Sequence, residues 1–347
     1  MSIKDIHLWL REENQKNLEK LWQEADRIRS ANVGIAVFLR GLIEISNYCR
    51  QKCHYCGLRA ENRQLQRYRM STDEILICAR QAKKLGYGTV VLQAGEDAGI
   101  TQDWMTALIL KIKHETGLAI TLSLGERNLD ELQAWRIAGA DRYLLRFETS
   151  NQKLFKLIHP GRIGSSTTSD RIYLLKELRR MGYEIGSGVM IGIPGQSYDD
   201  LVADLELFQE LDLDMIGIGP FIAHPNTPLG NQQNDLYLPA ELQVPNTELM
   251  TYKVLALTRL VCPRANLPST TALASLNYEQ GRELGLMRGA NIVMPNLTPP
   301  HYRKLYEIYP AKACIRESFE QFHAIIKIRI ASINRSIGIG PGSAIKR

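Results

Sequence analysis

From residue 33 onward, short apolar runs alternate with segments of about 12 to 18 residues in which apolar positions recur at helical spacing. The apolar runs are rich in β-branched residues, which favours strands. Eight runs are predicted as strands: 36–45, 89–93, 119–124, 142–147, 185–191, 215–218, 267–271 and 291–294. Alternating strands and helices indicate a parallel sheet. Eight such units predict an α/β protein with a (β/α)8 TIM barrel.

The segments between the runs carry helix start signals. Ser71 and Glu74 have the spacing of a capping box, Gly86 follows the end of that helix, and Ser197 opens another helix in the same way. Residues 2–30 are predicted to form one or two amphipathic helices outside the repeat. Their expected buried stripe consists of Ile6, Leu10, Leu18, Leu21 and Ile28.

These elements predict one barrel domain with two additions. We expect an N-terminal helical extension over 1–32, the barrel over 33–313, and a C-terminal helix and tail packed on the barrel over 314–347. The closing helix is predicted near 315–333. The irregular stretch 221–247, rich in Pro, Asn and Gln, is predicted to be a long loop of the barrel, and loops of this length are usually functional or mobile.

Polar residues and glycines follow most of the predicted strands. In a (β/α)8 barrel the carboxyl ends of the strands converge on one mouth, so these residues should surround a single site. They include Asn47, Tyr48 and Cys49 after the first strand, Glu96 after the second, Ser123 at the third, Glu148 after the fourth and Thr270 at the seventh.

Composition narrows the functional classes. The 347 residues include 43 Lys and Arg against 37 Asp and Glu, a net charge of +6, and 44% are hydrophobic. Extensive disorder is thereby excluded. The acidic and basic residues are interspersed along the sequence, so nucleic acid is not expected as a main partner. No apolar run approaches the roughly 18 residues of a membrane span, and the N-terminus lacks the apolar core of a signal peptide. We therefore expect a cytoplasmic protein without membrane association.

Three of the six cysteines, Cys49, Cys53 and Cys56, lie within eight residues, directly after the first strand. Three thiolates with this spacing can bind three irons of a 4Fe-4S cluster and leave the fourth iron free to chelate a small molecule. Such a cluster can hold S-adenosylmethionine (SAM) and inject an electron into its sulfonium, which gives methionine and a 5′-deoxyadenosyl radical. The aromatic ring of Tyr55 is suited to cover the adenine side.

A zinc site is the alternative interpretation, with His54 or a distant residue as the fourth ligand. Zinc sites usually pair two cysteine knuckles, and no second knuckle follows. A disulfide framework does not suit an intracellular chain. Cys78 and Cys262 are expected to be small buried hydrophobic residues.

The C-x3-C-x2-C pattern after the first strand resembles the radical SAM superfamily. Gly95-Glu96-Asp97 is similar to the superfamily motif whose backbone receives the methionine amino group of SAM. Gly192-Ile193-Pro194-Gly195 is similar to the fifth-strand motif that binds adenine with main-chain groups. Glycine suits both places, because there the backbone itself must approach the ligand.

A more specific resemblance, from about residue 33 to the C-terminus, is to the HydE family of FeFe-hydrogenase maturases. It rests on seven blocks in order: RYRMSTDEI at 67–75, LQAGED at 92–97, TLSLGE at 121–126, DRYLLRFETS at 141–150, IGIGPFIAHPNTPL at 216–229, LPSTTA at 267–272 and GANIVMPNLTPPHYRKLYEIYP at 289–310. Methylornithine synthase and biotin synthase share the early motifs but match the later blocks less well.

The HydE resemblance implies roles for individual residues. Glu148 and Arg171, with Ser123 nearby, correspond to the groups that orient SAM. A second set corresponds to residues around a carboxylate-bearing, sulfur-containing substrate: Thr121, Arg146, Thr270, Thr271, Tyr306 and Tyr309. Tyr306 and Tyr309 could instead be core residues of a helix face. No catalytic side chain is expected beyond the three cysteines.

The chain departs from the family pattern at several positions. Phe147 stands where HydE proteins commonly have His, and Ala94 where they commonly have Ser. Phe147 is expected to abut the cofactor pocket and could mark a divergent substrate. Some members bind a second cluster near the C-terminus, but here only Cys314 remains while Phe322 and Ile325 occupy the other two positions, so that cluster is predicted to be absent.

The resemblance implies that the deoxyadenosyl radical acts on a cysteine-derived iron complex, supplied by another maturase, during assembly of the hydrogenase di-iron subsite. Reduced flavodoxin or ferredoxin is the implied electron donor. Two alternatives stay open. One is a radical SAM mutase of the methylornithine synthase or biotin synthase type that acts on a free amino acid or small metabolite. The other is a non-catalytic iron-sulfur or zinc scaffold.

Overall fold

A parallel β-sheet forms the centre of the protein. The computed structural model describes residues 2–162, 170–231, 236, 238–310 and 318–345. The strands are β1 (Ala36–Ser46), β2 (Thr89–Ala94), β3 (Ala119–Ser123), β4 (Arg142–Leu144), β5 (Glu184–Ile191), β6 (Met215–Pro220), β7 (Ile292–Val293) and β8 (Ser336–Ile337). They are ordered β6-β5-β4-β3-β2-β1-β7, and β8 pairs with the start of β1. The prediction of an α/β barrel is confirmed.

The ring is closed by isolated bridges where the seventh strand was predicted. Residues 267–271 are all described and form no strand. Parallel bridges instead join Met215 to Asn266 and Pro268 to Ile292, so this segment links β6 to β7. Pro268 has no N–H to donate, and the Thr270 side chain already caps the following helix. Few backbone positions are left for a regular ladder.

Helices surround the sheet. They are α1 (Ile3–Arg11), α2 (Gln15–Val33), α3 (Thr72–Lys84), α4 (Gln102–Thr116), α5 (Leu129–Ile137), α6 (Gln152–Ile158), α7 (Arg171–Arg180), α8 (Tyr198–Glu210), α9 (Glu248–Val261), α10 (Thr271–Leu276), α11 (Gly281–Met287), α12 (Pro300–Arg303) and α13 (Phe319–Ser332). The capping box of Ser71 with Glu74 is confirmed, and Ser197 forms another with Asp200. In the described part of the chain, no helix has the length and hydropathy of a membrane span.

The N-terminal helices α1 and α2 pack on the outer helices α8, α9 and α11. Four positions of the predicted stripe, Ile6, Leu10, Leu18 and Leu21, are buried. Ile28 is half-exposed, so its prediction as a buried residue is wrong. Arg29 is buried beside it because its guanidinium bonds Asp26 and the carbonyl of Gly34.

The C-terminal tail closes the amino-terminal end of the barrel, which we call the floor. Arg40 of β1 and Asn266 both donate to the carbonyl of Gly342, at 2.9 and 3.0 Å, and Thr89 of β2 donates to the carbonyl of Pro341 at 2.9 Å. Gly88 permits the contact, since a Cβ there would lie 1.9 Å from the carbonyl oxygen of Gly340. The opposite end of the barrel is the mouth, where the cysteines lie.

Candidate functional site

A cavity of about 370 Å³ runs through the barrel between the cysteines at the mouth and Arg40 near the floor. Almost every site residue predicted from the sequence lines this cavity: Cys49, Cys53, Tyr55, Cys56, Gly95, Glu96, Thr121, Ser123, Arg146, Glu148, Arg171, Thr270, Thr271, Tyr306 and Tyr309. Residues from seven segments of the sequence therefore surround one space, as the barrel geometry requires.

The cysteine loop is tied to the end of β2. Register between β1 and β2 shifts between Glu44 and Ser46, where the chain turns into the loop. The Ser46 hydroxyl donates to the Asp97 carboxylate at 2.6 Å, and the N–H of Glu96 donates to Sγ of Cys49 at 3.4 Å. These bonds hold the first cysteine against the Gly95-Glu96-Asp97 motif.

Gly95 is required by this close approach. A Cβ at residue 95 would lie 2.2 Å from the carbonyl oxygen of Tyr48 and 2.8 Å from Cβ of Cys49. Non-bonded heavy atoms of these kinds do not approach each other so closely. In this structure the glycine of the motif serves the packing of the cysteine loop against β2.

The three thiols fit a cluster better than a single metal ion. Burial raises the pKa of each thiol, to about 12 for Cys56, and the neighbouring cysteines raise the pKa of Cys53 and Cys56 further. A positive iron centre would reverse this effect. In the portion of the chain that the structure describes, no three His, Cys, Asp or Glu side chains converge closely enough for one ion, as a tetrahedral zinc would require.

The Glu96 carboxylate connects several segments at the mouth of the barrel. It accepts hydrogen bonds from Nε of Arg50 and Nε2 of Gln51, both at 2.8 Å, and from the N–H of Glu126 at 3.1 Å, while Nε of Arg162 lies 2.8 Å away. The carboxylate is 2% exposed. Its partners include three residues that the sequence did not identify: Arg50 and Gln51 are at unspecified positions of the cysteine motif, and Arg162 lies in no motif.

Arg146 and Glu148 form an ion pair inside the barrel. Nη2 of Arg146 lies 3.0 Å from Oε2 of Glu148, and the guanidinium also donates to the carbonyls of Gly217 and Val189. Glu148 has a φ of 62°, a left-handed conformation that is uncommon for a glutamate. Backbone strain of this kind is often found at ligand-binding sites.

Arg171 has a different set of partners. Among the described residues it donates to the Glu126 carboxylate at 2.9 Å, to the Arg146 carbonyl and to His159. Burial and the nearby Arg171 lower the pKa of His159 to about 3, so this ring is neutral and can accept the bond. Glu148 and Arg171, predicted as a pair around SAM, thus lie on the same cavity, but Glu148 forms its ion pair with Arg146 and Arg171 forms its ion pair with Glu126.

The predicted substrate residues line the same cavity. Tyr306 is buried, and its hydroxyl accepts a hydrogen bond from Nε2 of Gln93 at 3.2 Å. The hydroxyl of Thr270 donates to the carbonyl of Ile218. Oγ1 of Thr121 is buried and has no hydrogen-bond partner in the described structure. This hydroxyl is available to a ligand.

Two predicted positions lie elsewhere. Ile193 is not among the described residues that line the cavity; it is buried in a small apolar cluster against which Tyr55 packs. Its carbonyl accepts bonds from Gln196 and Gln243, so a role of its main chain in adenine binding stays a prediction.

The expectation that Phe147 abuts the cofactor pocket is wrong. Phe147 is 2% exposed, packs against Phe208 of α8 with ring centroids 5.7 Å apart, and is likewise absent from the described cavity wall. The side chains of residues 146–148, which follow β4, keep the alternation of a strand: Arg146 and Glu148 line the cavity, and Phe147 packs on the outer side against α8. Ala94 does line the cavity. Cys314 lies outside the described residues.

Comparisons with known proteins agree with this site. The model of the radical SAM superfamily matches residues 43–208, which include the cysteine loop. The chain is 45% identical over 299 residues to the [FeFe] hydrogenase maturase subunit HydE of Thermotoga maritima. The aligned region covers 86% of this chain and 81% of that protein. The chain belongs to the HydE family of radical SAM proteins. It is therefore a radical SAM enzyme, whose cofactors are a 4Fe-4S cluster and SAM.

More distant relatives have the same fold. The 3-methylornithine synthase of Methanosarcina acetivorans is 28% identical over 295 residues, 84% of this chain and 79% of that protein. The crystal structure of methylornithine synthase superposes with a TM-score of 0.80 at 24% identity and covers 97% of this chain and 94% of its own. The chain thus has the same barrel fold as methylornithine synthase.

Proposed function

We propose that the protein cleaves SAM reductively at a 4Fe-4S cluster bound by Cys49, Cys53 and Cys56, and that it acts in assembly of the FeFe-hydrogenase di-iron subsite. The 45% identity to a protein named as a HydE maturase carries this proposal. The placement of the three cysteines at the mouth of one continuous cavity supports it. When bound, the cluster supplies the electron that converts SAM into methionine and a 5′-deoxyadenosyl radical.

The residues of the chain would bind and orient the two ligands. Tyr55, Gly95, Glu96, Ser123, Glu148, Arg171 and Ile193 are proposed for SAM, and Thr121, Arg146, Thr270, Thr271, Tyr306 and Tyr309 for the substrate. Arg146 and the free hydroxyl of Thr121 suit a carboxylate, because a guanidinium and a hydroxyl can both donate to its oxygens. The tail at the floor closes the cavity away from the mouth and helps to exclude water, which protects a radical.

The proposed substrate is a sulfur-containing, carboxylate-bearing molecule, namely a cysteine-derived iron complex delivered by another maturase. A flavodoxin or ferredoxin would supply one electron for each SAM cleaved. We propose that SAM and the substrate bind in contact with each other within this one cavity, which the residues proposed for both ligands line together. This arrangement would place the substrate sulfur within reach of the radical carbon.

The first test is anaerobic reconstitution with iron and sulfide, followed by SAM and dithionite. We expect methionine and 5′-deoxyadenosine in the wild type and neither product in a Cys53→Ser variant. A Cys78→Ala variant is the matched control, since Cys78 is buried on α3 away from the loop. An intact wild-type cluster that yields no 5′-deoxyadenosine would refute the radical chemistry.

The second test addresses the maturation role. The reconstituted wild type should restore activity to an apo-hydrogenase in a mixture of the other maturases, and Cys53→Ser should not. Similarity to methylornithine synthase supports an alternative mutase activity. Incubation with the free amino acids and mass spectrometry would reveal 3-methylornithine if that alternative is correct.

A further inference from the structure

The cysteine segment, residues 47–70, carries nearly all of the net charge of the protein. It contains six basic residues, Arg50, Lys52, Arg59, Arg63, Arg67 and Arg69, and one acidic residue, Glu61. Its net charge is +5, against +6 for the whole chain. The prediction that charges are interspersed is therefore wrong for this segment, and its cations lie in the loop that holds the three thiols.

Several of these cations are partly exposed at the protein surface. The side chains of Arg50 and Arg69 are 37% and 45% exposed, and Arg162 joins them with 36% exposure. Arg50 and Arg162 share the buried carboxylate of Glu96, and Arg69 pairs with that of the adjacent Asp97. The carboxylate partners of these three arginines are buried, while the arginine side chains are partly exposed to solvent.

Two further cations have no carboxylate partner among the described residues. Lys52 is half-exposed, and its backbone N–H donates to the carbonyl of Gly161, next to Arg162. Arg63 is exposed in the turn that follows the last cysteine. Within the described structure, the six cations of the segment together with Arg162 are balanced by three carboxylates, those of Glu61, Glu96 and Asp97. Arg59 and Arg67 are turned into the segment, where Arg59 pairs with Glu61 and Arg67 donates to backbone carbonyls. We call the more exposed cations, Arg50, Lys52, Arg63, Arg69 and Arg162, the basic face.

An exposed aromatic ring lies within the basic face. Tyr48 is 37% exposed and directly precedes Cys49, and the guanidinium of Arg69 lies over its ring at 4.0 Å. Tyrosine and arginine are enriched at the centres of protein interfaces, where they contribute most of the binding energy. The basic face therefore attracts anions at long range, and it also offers Tyr48 as a contact residue directly before the proposed cluster ligand Cys49.

The other side of the cysteines is unavailable to a protein partner. The thiols line the barrel cavity on that side, where SAM and substrate must bind, and the tail closes the far end. An electron must reach the cluster from outside at short range, so the donor has to dock on the cysteine segment. We propose that the basic face is the docking surface for an acidic protein that donates one electron, of the flavodoxin or ferredoxin class.

This inference rests on the proposed function, because it presupposes that the cluster is reduced for SAM cleavage. One electron passes from the donor, which is oxidised, to the cluster and then to the sulfonium, whose C–S bond breaks to give methionine and the deoxyadenosyl radical. Transient complexes between redox proteins have small interfaces and short lifetimes, and electrostatic attraction contributes much of their formation. The salt dependence of binding should therefore be steep.

The test compares Lys52→Glu/Arg63→Glu with Lys16→Glu/Lys20→Glu, which makes the same change in net charge on the exposed side of α2. Binding of an oxidised, strongly acidic flavodoxin is measured by calorimetry and needs no turnover. We expect the Kd to rise about ten-fold at low salt in the first variant and to stay within about two-fold of wild type in the second. At about 1 M salt, where the Debye length is about 3 Å, the two should converge.

Turnover provides a second readout. Formation of 5′-deoxyadenosine is followed with reduced flavodoxin and, separately, with photoreduced 5-deazariboflavin, a small neutral donor. The KM for flavodoxin should rise about ten-fold in Lys52→Glu/Arg63→Glu, while the rate with deazariboflavin is unchanged. Lys52→Gln/Arg63→Gln should show a smaller effect of the same kind, and it serves as the test if the charge-reversed protein does not fold.

Three results would overturn the proposal. One is equal flavodoxin affinity for the two charge-reversed variants. Another is an equal loss of rate with both donors, which would mean that the residues support the cluster itself. The third is equally tight binding of a short duplex DNA, which would indicate a non-specific polyanion surface. If the wild type cleaves no SAM even with deazariboflavin, the proposed function fails, and the calorimetry still decides the docking surface.

Discussion

Arg146 and Glu148 bond to each other within the barrel, with Nε of the guanidinium 3.1 Å from both carboxylate oxygens and Nη2 3.0 Å from Oε2. Each of them is also proposed to bind a ligand. Before SAM and substrate arrive, the two groups neutralise each other and neither is left as an isolated charge. A ligand that attracts Glu148 would release part of the Arg146 guanidinium for a carboxylate.

A double-mutant cycle should measure this pair. We expect Arg146→Met and Glu148→Gln each to lower the free energy of unfolding, and the double variant to lose less than the sum of the two. The coupling energy should be about 1 to 3 kcal/mol, because Glu148 is 8% exposed while Arg146 is partly solvated. Anaerobic urea denaturation gives the four values. Additivity within about 0.3 kcal/mol would show that the bond contributes nothing.

Gly95→Ala should impair cluster assembly. The added methyl group cannot occupy its ideal position without displacing Tyr48 or Cys49, so one ligand would move. We expect the iron content and the visible absorbance of the reconstituted protein to fall by at least half. Gly219→Ala is the control, because a Cβ at residue 219 meets its nearest atoms at an ordinary 3.5 Å. Equal iron in both variants would contradict the close-contact role of Gly95.

Asp204 should make stability depend on pH. Burial raises its pKa to about 7, although the N–H of Ser150 donates to it at 2.5 Å. The folded state therefore holds a proton that the unfolded state has released above pH 3.8, and stability decreases as pH rises from about 4 to about 7. The total change is on the order of 4 kcal/mol.

Asp204→Asn removes this titration and keeps an acceptor for Ser150. The variant should be more stable than wild type at pH 8, and its advantage should shrink toward pH 5. Asp199→Asn on the same helix is the control, since Asp199 is 87% exposed. Chemical denaturation at four pH values gives the curves, and parallel curves for wild type and Asp204→Asn would exclude the buried titration.

Gly88→Ala should displace the tail from the floor. A Cβ there would lie 1.9 Å from the Gly340 carbonyl, so Thr89, Arg40 and Asn266 would lose their bonds to the tail. A loss of about 2 to 4 kcal/mol is expected in the free energy of unfolding. Gly117→Ala has a φ of 68° but open space around it, and should lose only about 1 kcal/mol. Similar losses would mean that the tail tolerates displacement.

The barrel could be predicted because the spacing of apolar residues and the length of each segment distinguish strands from helices. The prediction failed at 267–271, which was expected to form a strand, because Pro268 and a helix cap leave few groups for pairing. It also missed the tail in the floor, because residues 338–345 have no periodicity and gain their place from the carbonyls they offer to Arg40, Thr89 and Asn266. Hydrogen bonds between distant segments have no local signature.

At the site, the residues were predictable and their partners were not. Strand-end position identified Arg146 and Glu148, and the HydE resemblance identified Arg171. The carboxylate with which each guanidinium pairs depends on side-chain geometry across several strands. One error was avoidable, because alternation along residues 146–148 already places Phe147 on the outer face. The concentration of positive charge in 47–70 was equally visible, and only counting by segment reveals it.

The floor bonds also set an order of events during synthesis of the protein. The carbonyl that receives the buried guanidinium of Arg40 belongs to a residue 302 positions later, and Arg142 bonds the Ser343 hydroxyl 201 positions later. At about 5 to 20 residues per second, roughly 15 to 60 seconds separate the appearance of Arg40 on the ribosome from that of its acceptor. Throughout that interval the nascent barrel has an open floor, and water or a chaperone must satisfy its arginines.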